Sequence, residues 1–213
     1  MSATRLLVLG AVRIFQPANG YLVRRELLTW GVDSWAATNP GSIYNMLRTL
    51  TREGLLEVVR GAGGGAEDGA RPASTSYRLT MDGENAYTGL LASALWEVHD
   101  RDPHLVLAAL CFLPTMSRAE ALEAFESREQ ALLLRLRATA AAVRQVQERR
   151  SAPPHAVELF HHTTAALTGD LEWTRGARRR LAEGHYRFAG EPGADELPHE
   201  GRWFGPLDAP RGP

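Results

Sequence analysis

One stretch, NPGSIYNMLRTLTREGLLEVVR from Asn39 to Arg60, constrains the fold more than any other, because its apolar period changes at a single glycine. Before Gly54 the pattern is helical. Asn39 can cap a helix with its side chain, Pro40 suits the first turn because it has no N–H to lose, and Gly54 can take the left-handed conformation that stops a helix. A helix is therefore expected from about Pro40 to Glu53. At about 100° per residue, Ile43, Met46, Leu47 and Leu50 fall on one side, and Asn45, Arg48 and Arg52 gather on the other with Tyr44 at the margin. No acid lies on that polar face before Glu53. A solvated helix face is the ordinary reading of such a pattern; a surface that meets a polyanion is the specific one.

The elements on either side decide between them. TRLLVLGAVRIF, residues 4–15, reads as a helix with an apolar surface nearly all round. QPANG breaks it, and Asn19 offers a cap to a second helix, GYLVRRELLTW, ending at Gly31. VDSWAAT, residues 32–38, is short and mixed and suggests a brief strand. After Gly54, LLEVVR and STSYRLT are strand-like runs rich in β-branched residues, separated by the Gly-rich GAGGGAEDGARPA, which makes a hairpin. Three helices and a hairpin within about 80 residues is the order of a winged helix-turn-helix, whose third helix enters the major groove.

The rest of the chain reads as helical. Thr80 caps a fourth helix to Val98, Asp102 and Pro103 open another that ends near Leu113, and Ser117 with Glu120 forms a capping box at the head of a long run. Pro153 and Pro154 separate that run from a second, HAVELFHHTTAALTGDLEWTRGARRRLAEG. Leu122, Phe125, Leu132, Leu133 and Leu136 stripe the first, and Val157, Phe160, Leu167 and Leu171 the second. Stripes of this length call for a second chain to cover them. The fold class expected is thus mainly α with a small β-hairpin: a DNA-binding domain with its linking helix over residues 1–98, a long-helix dimerisation domain over 99–189, and a disordered Gly/Pro-rich tail over 190–213.

Charge distribution agrees with that division. Residues 1–80 carry a net charge of +3 and residues 81–213 a net charge of −4. No apolar run is long enough for a membrane span, and LLVLGAV near the start is too short, with one arginine before it, to suggest a signal peptide. The single cysteine, Cys111, sits in an apolar segment and fits a reducing compartment, so a cytoplasmic location is expected. Walker, GxSxG, CxxC and HExxH motifs are all missing, and His161 and His162, being adjacent, point about 100° apart on a helix. No enzymatic activity, metal or cofactor is expected.

GSIYNMLRTLTREGLLE followed by SYRLTMDG, with LLVLGAV and NGYLVRREL before it, resembles the PadR family of bacterial transcriptional regulators, and the long C-terminal helices resemble the subgroup with a virulence-activator-like dimerisation domain. Two features depart from the family pattern. The wing is long and Gly-rich, with Glu67 and Asp68 near its tip, and Asn45 follows the tyrosine where relatives usually carry proline. The resemblance implies a homodimer on an inverted-repeat operator, usually as a repressor. It also implies which residues meet double-stranded DNA: Asn39, Ser42, Tyr44, Asn45, Arg48 and Arg52 on or beside the recognition helix, Tyr21 at the start of the second helix, and Arg60, Arg71 and Arg78 in or beside the wing. Tyr44 would reach a phosphate or sugar, Asn45 an adenine, and Arg48 a guanine or a phosphate. The aromatic-ligand response of some relatives implies a planar effector, for which Trp96, His99, Phe112 and Trp173 are candidates. The alternative from another class is a dimeric adaptor that keeps the winged fold as a protein-binding surface.

Overall fold

The computed structural model describes residues 2–36, 38–59, 75–99, 102–148 and 153–192. Its helices are α1 (Ala3–Phe15), α2 (Gly20–Thr29), α3 (Val32–Trp35), α4 (Pro40–Arg52), α5 (Met81–Trp96), α6 (Leu105–Leu110), α7 (Arg118–Glu148) and α8 (Glu158–Ala182). Three short strands, β1 (Ala18–Asn19), β2 (Leu56–Val59) and β3 (Ser76–Leu79), and two 3-10 turns, over Leu113–Thr115 and Pro154–Val157, complete the described elements. They form two compact units, one holding residues 2–91 and 102–112 and the other 92–99 and 113–191. The chain passes from one unit to the other inside α5, earlier than the expected boundary at Val98, and α6 belongs to the first unit.

α1 is the centre of the first unit. Its apolar residues run all round, and Leu6, Leu7, Val8, Leu9, Ala11 and Val12 are all fully buried, each large side chain contributing about 1.5–3 kcal/mol. Gly10 is what lets α6 approach. A Cβ there would lie 2.4 Å from Cζ of Phe112, so only a glycine allows that ring against the helix backbone. Phe112 also meets Trp30 and Tyr87 edge-on, with ring centroids 5.6 and 5.9 Å apart.

The expected hairpin is part of a three-stranded antiparallel sheet in the order β1-β3-β2. β1 pairs Ala18 with Tyr77 and Asn19 with Ser76, a two-residue strand too short to show any period in the sequence. Gln16 adds to the join, its side-chain oxygen accepting from the Leu79 N–H at 2.9 Å. The link between β2 and β3, with Arg60, Arg71, Glu67 and Asp68, lies outside the described residues. The described residues of VDSWAAT form no strand. Gly31 takes the left-handed conformation at φ 67°, Val32–Trp35 make one helical turn, and Ser34 donates to the Gly31 carbonyl at 2.7 Å. Thr80 ties sheet to helix: its hydroxyl donates to the Gly54 carbonyl at 2.7 Å and accepts from the Gly83 N–H at 3.0 Å.

In the second unit α7 and α8 pack along each other. The capping box at the head of α7 forms as expected, the Ser117 N–H donating to Glu120 at 2.8 Å and the Glu120 N–H to Ser117 at 3.2 Å. Hydrogen bonds from Ser117 hold the Glu120 carboxyl below its ordinary pKa. Phe125, Leu132 and Leu171 are buried, whereas Leu122, Leu133, Leu136, Val157, Phe160 and Leu167 are only partly covered and Leu134 and Leu159 are exposed. Arg128 and Arg135 of α7 donate to the carbonyls of Glu97 and Val98 at 2.8 and 2.6 Å, which supplies donors just past the end of α5. Arg128 also pairs with Asp170 of α8 at 2.6 Å. Near the end of the described chain Phe188 is fully buried and Arg118 holds Glu191 at 2.6 and 2.8 Å; of the tail expected over 190–213, residues 193–213 lie outside the described residues.

Candidate nucleic-acid interface

α4 begins as its sequence dictates. The Asn39 side chain accepts from the Ser42 N–H at 2.8 Å, Pro40 occupies the first turn, and the Ser42 hydroxyl donates to the Asn39 carbonyl at 2.7 Å. Both side chains thus form the helix cap. Ile43, Leu47 and Leu50 are buried and fix the rotation of the helix, while Tyr44, Asn45, Arg48 and Arg52 are exposed. Arg48 donates to the Asn45 side-chain oxygen, so the two residues form a linked pair on the outer face.

Tyr44 is set by a neighbouring helix. At Gly20, the first residue of α2, a Cβ would stand 2.8 Å from Cε1 of Tyr44, so the tyrosine ring lies across the bare backbone there. Tyr21, next along α2, is 63% exposed, and its ring is free of the core. α2 itself is capped by Asn19, which accepts from the Leu22 N–H at 2.8 Å. The face so assembled presents Tyr21, Tyr44, Asn45, Arg48 and Arg52 from two helices that pack on each other.

The arginines of the first unit divide in a telling way. Arg5 pairs with Glu53 at 2.6 Å, Arg13 with Glu84 at 2.8 Å, Arg25 with Glu26 at 2.8 Å, and Arg78 with Glu57 at 2.7 Å. Among the described residues Arg24, Arg48 and Arg52 have no carboxylate within ion-pair distance, and all three stand on α2 or α4. Among the described residues of this unit, the arginines without an ion-pair partner therefore stand on the two helices that carry the exposed polar face. Arg78, expected to hold the DNA backbone, is directly opposite Glu57 in the sheet and is locally neutralised. Arg60 and Arg71 lie outside the described residues.

The capped α2, the one-turn α3, α4 with its polar residues outward and the antiparallel sheet packed against α4 decide the fold. The chain is a winged helix-turn-helix protein. Neither a family model nor a curated protein matches its sequence. Among solved structures this winged helix-turn-helix chain is similar to Bacillus subtilis PadR, solved in complex with operator DNA, at 18% identity over 83% of this chain and 98% of that one, with a TM-score of 0.36. It is also similar to smu.1604c from Streptococcus mutans UA159, at 17% identity over 86% of this chain and 98% of that one, with a TM-score of 0.33.

The residues expected to line an effector pocket are placed as follows. Phe112 is fully buried in the first unit against Gly10, Trp30 and Tyr87, a packing role in place of the ligand-lining one. In the second unit Trp96 is exposed, the His99 ring lies 3.2 Å from the Ser93 carbonyl, and Trp173 packs on Phe125 with centroids 5.8 Å apart. His161 faces Glu158 at 3.3 Å on the exposed side of α8. Among the described residues no three His, Cys, Asp or Glu side chains cluster as metal ligands would, and no described helix is long and apolar enough to cross a membrane.

Proposed function

We propose that this chain is a cytoplasmic transcriptional regulator of the PadR type that binds an inverted-repeat operator as a homodimer and represses transcription. The observation that carries the reading is that, among the described residues of the first unit, the arginines without an ion-pair carboxylate stand on α2 and α4, beside the exposed Tyr44 and Asn45. On this reading a polyanion supplies the charge that the protein itself supplies to Arg5, Arg13, Arg25 and Arg78. The half-covered stripes of α7 and α8, with Leu134 and Leu159 exposed, support a second copy as the covering partner. Two-fold symmetry then sets the reading heads about 34–36 Å apart, or at a multiple of that spacing. A planar effector acting beside Trp96 or Trp173 would release the operator, and tryptophan fluorescence across a panel of planar compounds tests that part.

Arg48→Ala is the decisive variant. Operator affinity should fall by about 1–3 kcal/mol in a gel-shift titration, with the loss depending on base identity if Arg48 reads a guanine and uniform across sequences if it holds a phosphate. Unchanged affinity would remove Arg48 from the interface. A wild-type chain that binds its own upstream region no better than bulk DNA would favour the adaptor reading over the regulator.

A further inference from the structure

Two arginines stand side by side on α2 and meet opposite fates. Arg25 is paired with Glu26, an acid with 1% side-chain exposure. Arg24 has no acid partner among the described residues, and its Nε is closed off from solvent without a hydrogen-bond acceptor. Leaving a cationic N–H desolvated and unsatisfied is costly, so the side chain gains by swinging its guanidinium out to an acceptor at the surface.

Helix geometry says where that acceptor would have to be. Val23, Glu26 and Leu27 point α2 into the core. At about 100° per residue Arg24 lies next to Gly20 on the flank, one turn further along, and Arg25 lies well round toward solvent. A helical side chain leans back over the turn that precedes it. For Arg24 that turn is Gly20, the point where the Tyr44 ring crosses. Arg24 therefore stands on the same flank of α2 as Gly20, over which the Tyr44 ring crosses, and is half-buried.

We propose that Arg24 is a further DNA-backbone residue of this interface, holding a phosphate at the α2–α4 crease beside Tyr44. It rests on the DNA-binding reading above and adds to it a residue that takes no part in base readout. Phosphate oxygens match a guanidinium fork, and a contact of that kind fixes register on the duplex without carrying sequence information. The site differs from Arg48, whose fork is engaged with Asn45 on the outer face.

The test uses the full-length chain and a short duplex that the wild-type protein itself enriches from a random library. Affinity is measured against salt for the wild type, Arg24→Gln, Arg24→Met and Arg24→Lys, with thermal melts alongside. The expected result is that both neutral variants bind more weakly and lower the slope of log K against log[salt] by about 0.9 per bound protomer, while base preference at every position is unchanged. Arg24→Lys should keep the wild-type slope. The Met variant retains the apolar stem, so it separates loss of charge from loss of packing. Slopes equal to wild type in both neutral variants would overturn the assignment and leave Arg24 as a support for Tyr44, and a shifted base preference would overturn it in favour of direct readout. A wild-type chain that enriches no duplex overturns the DNA-binding reading itself, which makes the two failures distinguishable.

Discussion

Glycine 83 offers a test of how tightly the start of α5 is locked to the turn after α4. A Cβ built at Gly83 would lie 2.1 Å from the backbone oxygen of Leu55 and 3.1 Å from its carbonyl carbon. Even close C–H···O approaches keep about 3.3 Å, so Gly83→Ala must open this contact by roughly 1 Å. The obstacle is backbone, and the same Leu55 oxygen accepts the Thr80 N–H at 3.1 Å, so it cannot retreat without straining the Thr80 cap. Overpacking of this kind costs about 1–3 kcal/mol and a compromised hydrogen bond about 1 more, against about 1 kcal/mol gained from alanine's helix propensity. The clash therefore wins, with a net loss of about 1–3 kcal/mol. Gly89, in the same helix, has nothing within 4 Å of its added Cβ, so there the propensity gain stands alone. Thermal denaturation followed by circular dichroism should show Gly83→Ala melting about 3–10 °C lower and Gly89→Ala about 1–3 °C higher than wild type. A Gly83→Ala protein at least as stable as wild type would refute the reasoning, and the Gly89 variant guards against reading a general intolerance of α5 as a specific collision.

Two further outcomes follow from titratable groups. Burial pushes the Cys111 thiol up to about 12, which leaves roughly one molecule in ten thousand as thiolate at pH 8 against about a quarter for an ordinary exposed cysteine. Alkylation by iodoacetamide, followed by mass spectrometry, should thus be slowed at least about a thousandfold in the native chain relative to the denatured one. Glu53 is held below its ordinary value, first by its hydrogen bond from Arg5 and then by the nearby positive charges of Arg5 and Arg52. Because the folded pKa is depressed, its contribution is present above the unfolded value, near 4.5, and is lost as pH falls through the folded one. Glu53→Gln should therefore flatten the acid limb of the stability–pH curve below about pH 4.5, and an unaltered limb would remove the Arg5 pair from acid unfolding.

Much of this molecule was legible in the sequence wherever a signal is local and repeated. The Asn39 cap, the Gly54 stop, the all-round apolar α1 and the Ser117–Glu120 box each depend on residues within one or two turns, and each appears where expected. What escaped was set by partners distant in the chain or by elements too short for a period. β1 has two residues, and its pairing with β3 is fixed by tertiary register. α3 follows from a left-handed Gly31 and a Ser34 bond, which no apolar pattern records. The helix expected from Asp102 to Leu113 is shorter, because the Phe112 ring turns into the Gly10 contact and a tight 3-10 turn over Leu113–Thr115 follows. Among the site residues, exposure of Tyr44, Asn45, Arg48 and Arg52 could be read from helical spacing. Neutralisation of Arg78 could not, since it needs the strand register that sets Glu57 opposite. Arg24 was not singled out for a related reason: spacing places it on a flank of α2, and only the packing of Tyr44 over Gly20 ties that flank to the face proposed for DNA.

The bond between Arg48 and Asn45 has an evolutionary side. Two neighbours that hold one another respond to mutation as a word does and not as separate letters: replacing Asn45 frees the guanidinium to search for another acceptor, and replacing Arg48 returns the amide oxygen to water. If the chain reads DNA as proposed, a lineage drifting toward a new target sequence would then cross an intermediate with a mismatched partner before both positions had changed. Retargeting of this protein should accordingly succeed through joint exchanges at 45 and 48 more readily than through either alone.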